Sequence, residues 1–224
     1  MRRAALLLLC AAALASTSLA WADEKFEFVS VRLEQNLSDN DAEVIFEATS
    51  GAVGLAALKV VGPDGRTFID FKSPESKMGI RHFNLESPEP KELAKLQAAF
   101  PAGEYTFTGV TVGGAKLSSK ATLSHKLPGV ASFVRPSPNE ENVPVKGFEV
   151  KWGAGKDSAT HVVTIENEQT GVKVIQAILP GAATSLLVPD SFLTAGTKYK
   201  VSIGAVTRGG NGTFVETAFT TARK

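Results

Sequence analysis

The chain has 224 residues, with 24 Lys and Arg against 23 Asp and Glu, a formal charge of +1. That balance excludes electrostatic steering toward nucleic acid or anionic lipid. The only cysteine, Cys10, leaves no partner for a disulfide and no thiolate cluster for a metal.

The chain opens with Arg2 and Arg3, an apolar run from Ala4 to Leu14, and a small-residue stretch ending Ala20-Trp21-Ala22. This is the order of a signal peptide, with cleavage before Asp23 or, at Ser18-Leu19-Ala20, before Trp21. The run is about half the ~20 residues a membrane-spanning helix needs, so the expectation is a secreted or periplasmic protein with no membrane insertion after signal removal. Cys10 lies in the middle of the run behind Leu9, which disfavours a lipoprotein. A chain starting at Asp23 has no cysteine, and loss of Arg2 and Arg3 leaves 22 basic against 23 acidic residues. A disulfide-free secreted chain with an Ala/Leu-rich leader points to a bacterial envelope.

About 200 remaining residues fit one large domain or two of about 100, and the pattern favours two. In residues 23–127 the strand candidates are Phe26 to Leu33, Ala42 to Ala48, Leu55 to Val61, Thr67 to Phe71 and Met78 to Leu85. Gly62-Pro63-Asp64-Gly65 reads as a type I turn. One short helix follows, with Ser87 as cap, Pro88 in its first position, Leu93, Leu96 and Phe100 on one stripe, and Pro101 as its stop. Phe100-Pro-Ala-Gly103-Glu-Tyr105 and a hairpin turning at Gly113-Gly114 complete an immunoglobulin-like sandwich. Pro128-Gly129 is the boundary, and it leaves the relative orientation of the two halves open.

In residues 128–224, Val130 to Arg135 is the first strand, and Phe148, Val150 and Trp152 share one face of the next. His161, Val163 and Ile165 repeat that alternation. Val172 to Leu179 runs back, Ser185 to Val188 follows, and Tyr199, Val201, Ile203 and Ala205 alternate before a hairpin at Arg208 to Gly212 and a last strand through Phe219. Phe148-x-Val-x-Trp152, Leu193-x-x-Gly196-x-x-Tyr199-x-Val-x-Ile203-x-Ala and Phe219-Thr-Thr together resemble the fibronectin type III pattern over about ninety residues. The resemblance implies a tyrosine corner at Tyr199, and His161 stands where that family usually has Tyr. The whole chain resembles exported bacterial proteins that join an immunoglobulin-like domain to a fibronectin type III domain, a likeness that brings no known activity. The expected fold is therefore all-β, with two sandwiches in tandem.

Chemistry is sparse. His82, His125 and His161 lack any metal-ligand spacing, and there is no nucleophile elbow or phosphate-binding loop, so no catalytic residue, cofactor or metal is assigned. Ser38-Asp39-Asn40-Asp41 could seat calcium, but it lacks the ligand spacing and terminal Glu of an EF-hand, and its Asn and Asp read rather as ordinary turn residues. Asn36-Leu-Ser38 and Asn211-Gly-Thr213 are sequons that a bacterial host leaves unused. The loops Gly153 to Ser158, Pro180 to Thr184 and Thr207 to Thr213 should gather at one end of the second sandwich. That makes Lys156, Asp157, Arg208 and Asn211 the candidate partner-binding residues. The reading is a non-catalytic module for a protein or polysaccharide partner. The alternatives are a structural spacer engaged by strand addition at a sheet edge and a hydrolase with a surface carboxylate pair.

Overall fold

The computed structural model describes residues 24–73 and 78–223. The leader and Cys10 lie outside the described residues. The first half carries β1 (Phe28–Asn36), β2 (Asp41–Thr49), β3 (Leu55–Val61), β4 (Thr67–Lys72), β5 (His82–Glu86), α1 (Leu93–Ala99), β6 (Gly103–Thr111) and β7 (Lys116–Leu123). The second half carries β8 (Ser132–Arg135), β9 (Glu140–Val143), β10 (Glu149–Gly153), β11 (Thr160–Asn167), β12 (Lys173–Pro180), β13 (Ser185–Leu187), β14 (Lys198–Val206) and β15 (Gly212–Thr221).

Apolar side chains sort into two cores. The first gathers Val31, Leu33, Val44, Phe46, Leu58, Val60, Tyr105 and Phe107 between the strands β1, β2, β5 and the sheet β4-β3-β6-β7. The second gathers Phe148, Val150, Trp152, Val163, Ile165, Tyr199, Ile203 and Phe219 between the sheet β13-β10-β8 and the strands β12, β11, β14, β15. Strict alternation makes this possible, because every second residue of a strand points to the same face. Each half is thus a sandwich with its own core.

The two sandwiches are not separate sheets joined by a hinge. β1 pairs in parallel with β15, Glu34 opposite Gly212 and Asn36 opposite Phe214, so one sheet runs β12-β11-β14-β15-β1-β2-β5 across both cores. The far end of the same β15 edge is taken by β9, with Phe219 opposite Glu140. β9 follows directly on the turn-forming run Pro136-Ser-Pro138-Asn. Its backbone is held by parallel pairing, which needs no apolar alternation of its own.

Two expectations in the first half are corrected. Ser87 does not cap the helix: α1 begins after Glu92 with no side-chain cap, and Ser87 Oγ instead accepts from Val44 N at 2.9 Å on β2. Pro90 explains this, since a proline disfavours helical backbone in the residue before it, which here is Glu89. The stripe itself packs as expected, with Leu96 buried and Leu93 and Phe100 against the first core. The strand read from Met78 to Leu85 is split. Ile80 bridges Leu55 on β3, whereas His82–Glu86 pairs with β2, so the chain changes sheets between them.

Candidate functional site: the domain junction and a concave sheet face

Both sandwiches turn on a tyrosine. Tyr199 is buried, and its hydroxyl accepts from Thr194 N at 2.8 Å. In the first sandwich Tyr105 is equally buried, and its hydroxyl donates to Pro101 O at 3.0 Å. Burial pushes the Tyr105 phenol up to about 12, with the nearby Asp64 carboxylate adding to the effect. The echo between Phe100-Pro-Ala-Gly103-Glu-Tyr105 and Leu193-Thr-Ala-Gly196 to Tyr199 is therefore one structural device used twice.

The three loops of the second sandwich do converge. Ala159 N donates to Val206 O at 2.7 Å and Gly181 N to Ala159 O at 2.9 Å, which draws the three segments to one pole. That pole, however, faces the first sandwich. β8 runs antiparallel to β10, so it starts where β10 ends, and the preceding domain must enter there. Gly129 N donates to Lys156 O at 2.8 Å. A side chain at Gly155 would sit 2.0 Å from Gly129 O, so only glycine fits against the linker.

The candidate residues fare differently at this pole. Lys156, Asp157 and Arg208 are exposed, and Asp157 pairs with Lys126 of the linker at 3.2 Å. Asn211 is corrected from a partner-facing residue to an internal clamp. It is 3% exposed, its Oδ1 accepts from Leu33 N at 3.0 Å, and its Nδ2 donates to Ser124 O at 2.7 Å and Lys126 O at 3.0 Å. Thr213, also buried, donates its hydroxyl to Pro128 O at 2.9 Å. Two neighbouring polar residues of β15 and its turn thus bond β1 and the linker, satisfying backbone groups that the junction would otherwise bury unpaired. Its burial also takes Asn211 out of reach of glycosylation.

At the other end of the β1–β15 contact, Ser38 Oγ accepts from Glu216 N at 2.7 Å, and Leu37 N donates to Phe214 O at 3.0 Å. The acidic segment Ser38 to Asp41 is the tip of the β1–β2 hairpin. Asn36 donates to Asp39 Oδ2 at 2.9 Å, and Asn40 takes the left-handed backbone that closes the turn, φ 55°. No group of three or more metal-ligating side chains occurs among the described residues.

The pairing of β1 with β15 also builds a feature the sequence did not announce. The outer face of the shared sheet is concave over the junction, a trough of about 650 Å³ bordered by β1 and β2 on one side and β11, β12 and β14 on the other. Its floor is made by Phe214, whose ring fills the space above Gly204 and Gly212: a Cβ on either would lie 2.2 or 2.5 Å from it. Arg32 bonds Glu34 at 2.8 Å and Glu47 at 3.0 Å, and Lys200 pairs with Glu216 at 3.4 Å. Burial works against the Lys200 ammonium, but Glu216, Glu166 and Asp39 outweigh it and hold its pKa above the ordinary lysine value.

Asp41, Glu43 and Glu166 line the same trough and have no ion-pair partner among the described residues. Glu43 faces Glu34 across the β1–β2 ladder, and one of its carboxylate oxygens is buried with no hydrogen-bond partner. Burial, with Glu86, Glu34 and Glu89 adding to it against Arg32, pushes the Glu43 carboxyl up to about 7.

No family model matches the chain, and no curated protein does. Solved structures similar to it include a two-domain fibronectin type III segment of chicken tenascin, 16% identical over 89% of this chain and 98% of that one, TM-score 0.33. Fibronectin(III)-like modules of Clostridium thermocellum CbhA are 8% identical over 87% of this chain and 94% of theirs, TM-score 0.34. A tetra-tandem repeat from the extending region of a large adhesion protein is 18% identical over 88% of this chain, TM-score 0.33. This chain spans 49% of that repeat structure. The strand order β13-β10-β8 against β12-β11-β14-β15, closed by the Tyr199 corner, is that of a fibronectin type III domain. No described helix is long and apolar enough to cross a membrane.

Proposed function

We propose that the chain is an exported, non-catalytic interaction module whose two sandwiches are fixed as one body so that their shared sheet presents the trough to a protein partner. The observation that carries this reading is the β1–β15 pairing, because the trough exists only while both sandwiches hold it. Among the described residues its unpaired charges are the carboxylates of Asp41 and Glu166, joined by Glu43 only above about pH 7, against the ammonium of Lys173. Charge complementarity therefore favours a basic, extended segment of the partner. Lys156 and Arg208 stand at the exposed end of the junction, where they would meet the flank of such a partner.

The test is affinity capture with residues 23–224 from the native envelope and secreted fraction, beside the same chain carrying Asp41→Asn and Glu166→Gln. A partner retained by the wild type and lost by the variant supports the reading. Equal capture by both removes the trough as the site, and retention of polysaccharide in place of protein changes the ligand class. Capture of nothing at all turns the reading to the spacer.

The hydrolase alternative has one observation in its favour, the convergence of Glu34 and Glu43 in a concavity. Against it, Glu34 is neutralised by Arg32 at 2.8 Å. Glycan hydrolysis that disappears in Glu43→Gln would overturn the non-catalytic reading.

A further inference from the structure

The first sandwich is charged differently on its two outer faces, a polarity that the formal charge of +1 hides. Its trough side carries Asp41 and Glu43. The opposite side, the outer face of the sheet β4-β3-β6-β7, carries lysines. Strand pairing sets two rows of side chains across that face, because residues directly opposite one another in an antiparallel pair point the same way. One row runs Lys72, Ala57, Val110, Lys116, and the next runs Asp70, Lys59, Thr108, Ser118.

The rows enclose a shallow groove of about 400 Å³. Lys59, Lys72 and Lys116 line it and are exposed. None of the three is in an ion pair among the described residues. Of the lining residues Asp70 alone is acidic, opposite Lys59 on the ladder. On the same face Lys120 is already held by Glu104 at 2.6 Å, so free positive charge collects in the groove. Lys72 and Lys116 stand three strand spacings apart, about 14 Å, and Lys59 lies about 7 Å along the strands from the line between them. Of the lining, Val110 alone is a large apolar side chain exposed to solvent.

We propose that this groove binds an anionic polysaccharide, its acidic groups seated on Lys59, Lys72 and Lys116. Three positive charges against one carboxylate call for an anionic ligand. Their spread over about 14 Å suits a chain whose charges recur along a polar backbone better than a single small anion. Thr108, between the charges, offers its hydroxyl to the sugar. Other polyanions need side chains that the groove lacks, since neither an aromatic ring nor an Arg lines it. Protein interfaces are built on aromatic and Arg anchors and are depleted in Lys. Single-stranded nucleic acid stacks its bases on aromatic rings. Adsorption to an anionic membrane needs an apolar face that sinks below the headgroups, and Val110 by itself does not supply one. The groove and the trough lie on different sheets of the sandwich, so this proposal is independent of what the trough binds.

The experiment titrates residues 23–224 by calorimetry with polygalacturonate, which carries carboxylates, with dextran sulfate, which carries sulfates, and with uncharged dextran. At low salt at least one of the two polyanions should bind and dextran should not, the tighter polyanion identifying the acidic group, and sodium chloride should weaken the binding. The combined variant Lys59→Gln, Lys72→Gln, Lys116→Gln should lose about tenfold in affinity, the size to which three exposed ion pairs sum. The variant Lys91→Gln, Lys95→Gln, Lys146→Gln makes the same charge change at exposed positions outside the groove and should bind like the wild type. Asp70→Asn should tighten binding about twofold, a gain that a misfolded chain would not show. Binding of neither polyanion overturns the proposal, as does an equal loss in the two triple variants. Tighter binding to phosphatidylserine vesicles or to polyglutamate than to either glycan, through the same lysines, would overturn it in favour of a membrane or an acidic protein.

Discussion

Replacing Asn211 by Ala removes the amide that ties the turn of the second sandwich to β1 and the linker. Four hydrogen bonds of 2.7 to 3.2 Å disappear, one accepted from Leu33 N and three donated to Ser124 O, Ser124 Oγ and Lys126 O. Each neutral bond contributes about 0.5–1.5 kcal/mol net, and a buried donor left without a partner costs about 1–3 kcal/mol. Leu33 belongs to the buried core of the first sandwich, so its N–H bears the full penalty, and water can reach the exposed Ser124 and Lys126. The loss should be roughly 3–4 kcal/mol. For a chain of this size that is a drop in Tm of about 6–15 °C. Asn211→Asp should be no better, because it keeps the acceptor for Leu33 N but turns a carboxylate toward two carbonyl oxygens. Arg208→Ala, three residues away and exposed, should fall within about 0.5 kcal/mol of wild type. Thermal and urea unfolding of the three variants measure this directly. An Asn211→Ala protein as stable as Arg208→Ala would refute the clamp.

Other outcomes follow from the same geometry. Glu43 holds a proton in the folded state up to about pH 7, whereas the unfolded carboxyl releases it near its ordinary value, about 4.3. Stability therefore falls as pH rises between those values, and Glu43→Gln should raise stability at pH 8 by roughly 1–2 kcal/mol after solvent screening, with little change at pH 4; an equal effect at both would contradict the assignment. His161 is buried against Trp152, ring centroids 5.7 Å apart, and burial holds its pKa below the ordinary imidazole value. The unfolded chain takes up that proton first, at about pH 6.5, so stability should decline as pH drops below that point. His161→Phe should flatten the decline, and an unchanged slope would count against it. Gly204→Ala should displace the Phe214 ring and cost about 1–3 kcal/mol, measurable by urea unfolding. Calcium at millimolar concentration should leave Tm unchanged, since Asp39 is engaged by Asn36 in the hairpin tip.

What was legible in the sequence was local. Phe148, Val150 and Trp152, or Tyr199 to Ala205, announce buried strand faces by alternation, and the Leu193 to Tyr199 spacing announces the corner. The junction was not legible in that way. Asn211 sits in a glycine-rich turn whose composition reads as a surface loop, and only the pairing of β1 with β15, 178 residues apart in sequence for the Leu33–Asn211 bond, turns it inward. Part of this could have been reasoned out. Once β8 and β10 are taken as antiparallel neighbours, the loop pole must face the preceding domain. The trough was hidden for a different reason: Thr164, Gln176, Lys200, Glu43 and Glu216 are the outward residues of alternating strands, which in sequence look like ordinary solvated positions. Curvature across two sandwiches, absent from any one strand, makes them a site.

The central claim is that the sandwiches form one body through β1 and β15. The cysteine-free chain from Asp23 allows the direct measurement, a spin-label distance between cysteines placed at the exposed Lys95 of the first sandwich and Gln169 of the second. A single narrow distance distribution, broadened by Asn211→Ala, is the predicted result. A broad distribution in the otherwise wild-type chain would contradict the account.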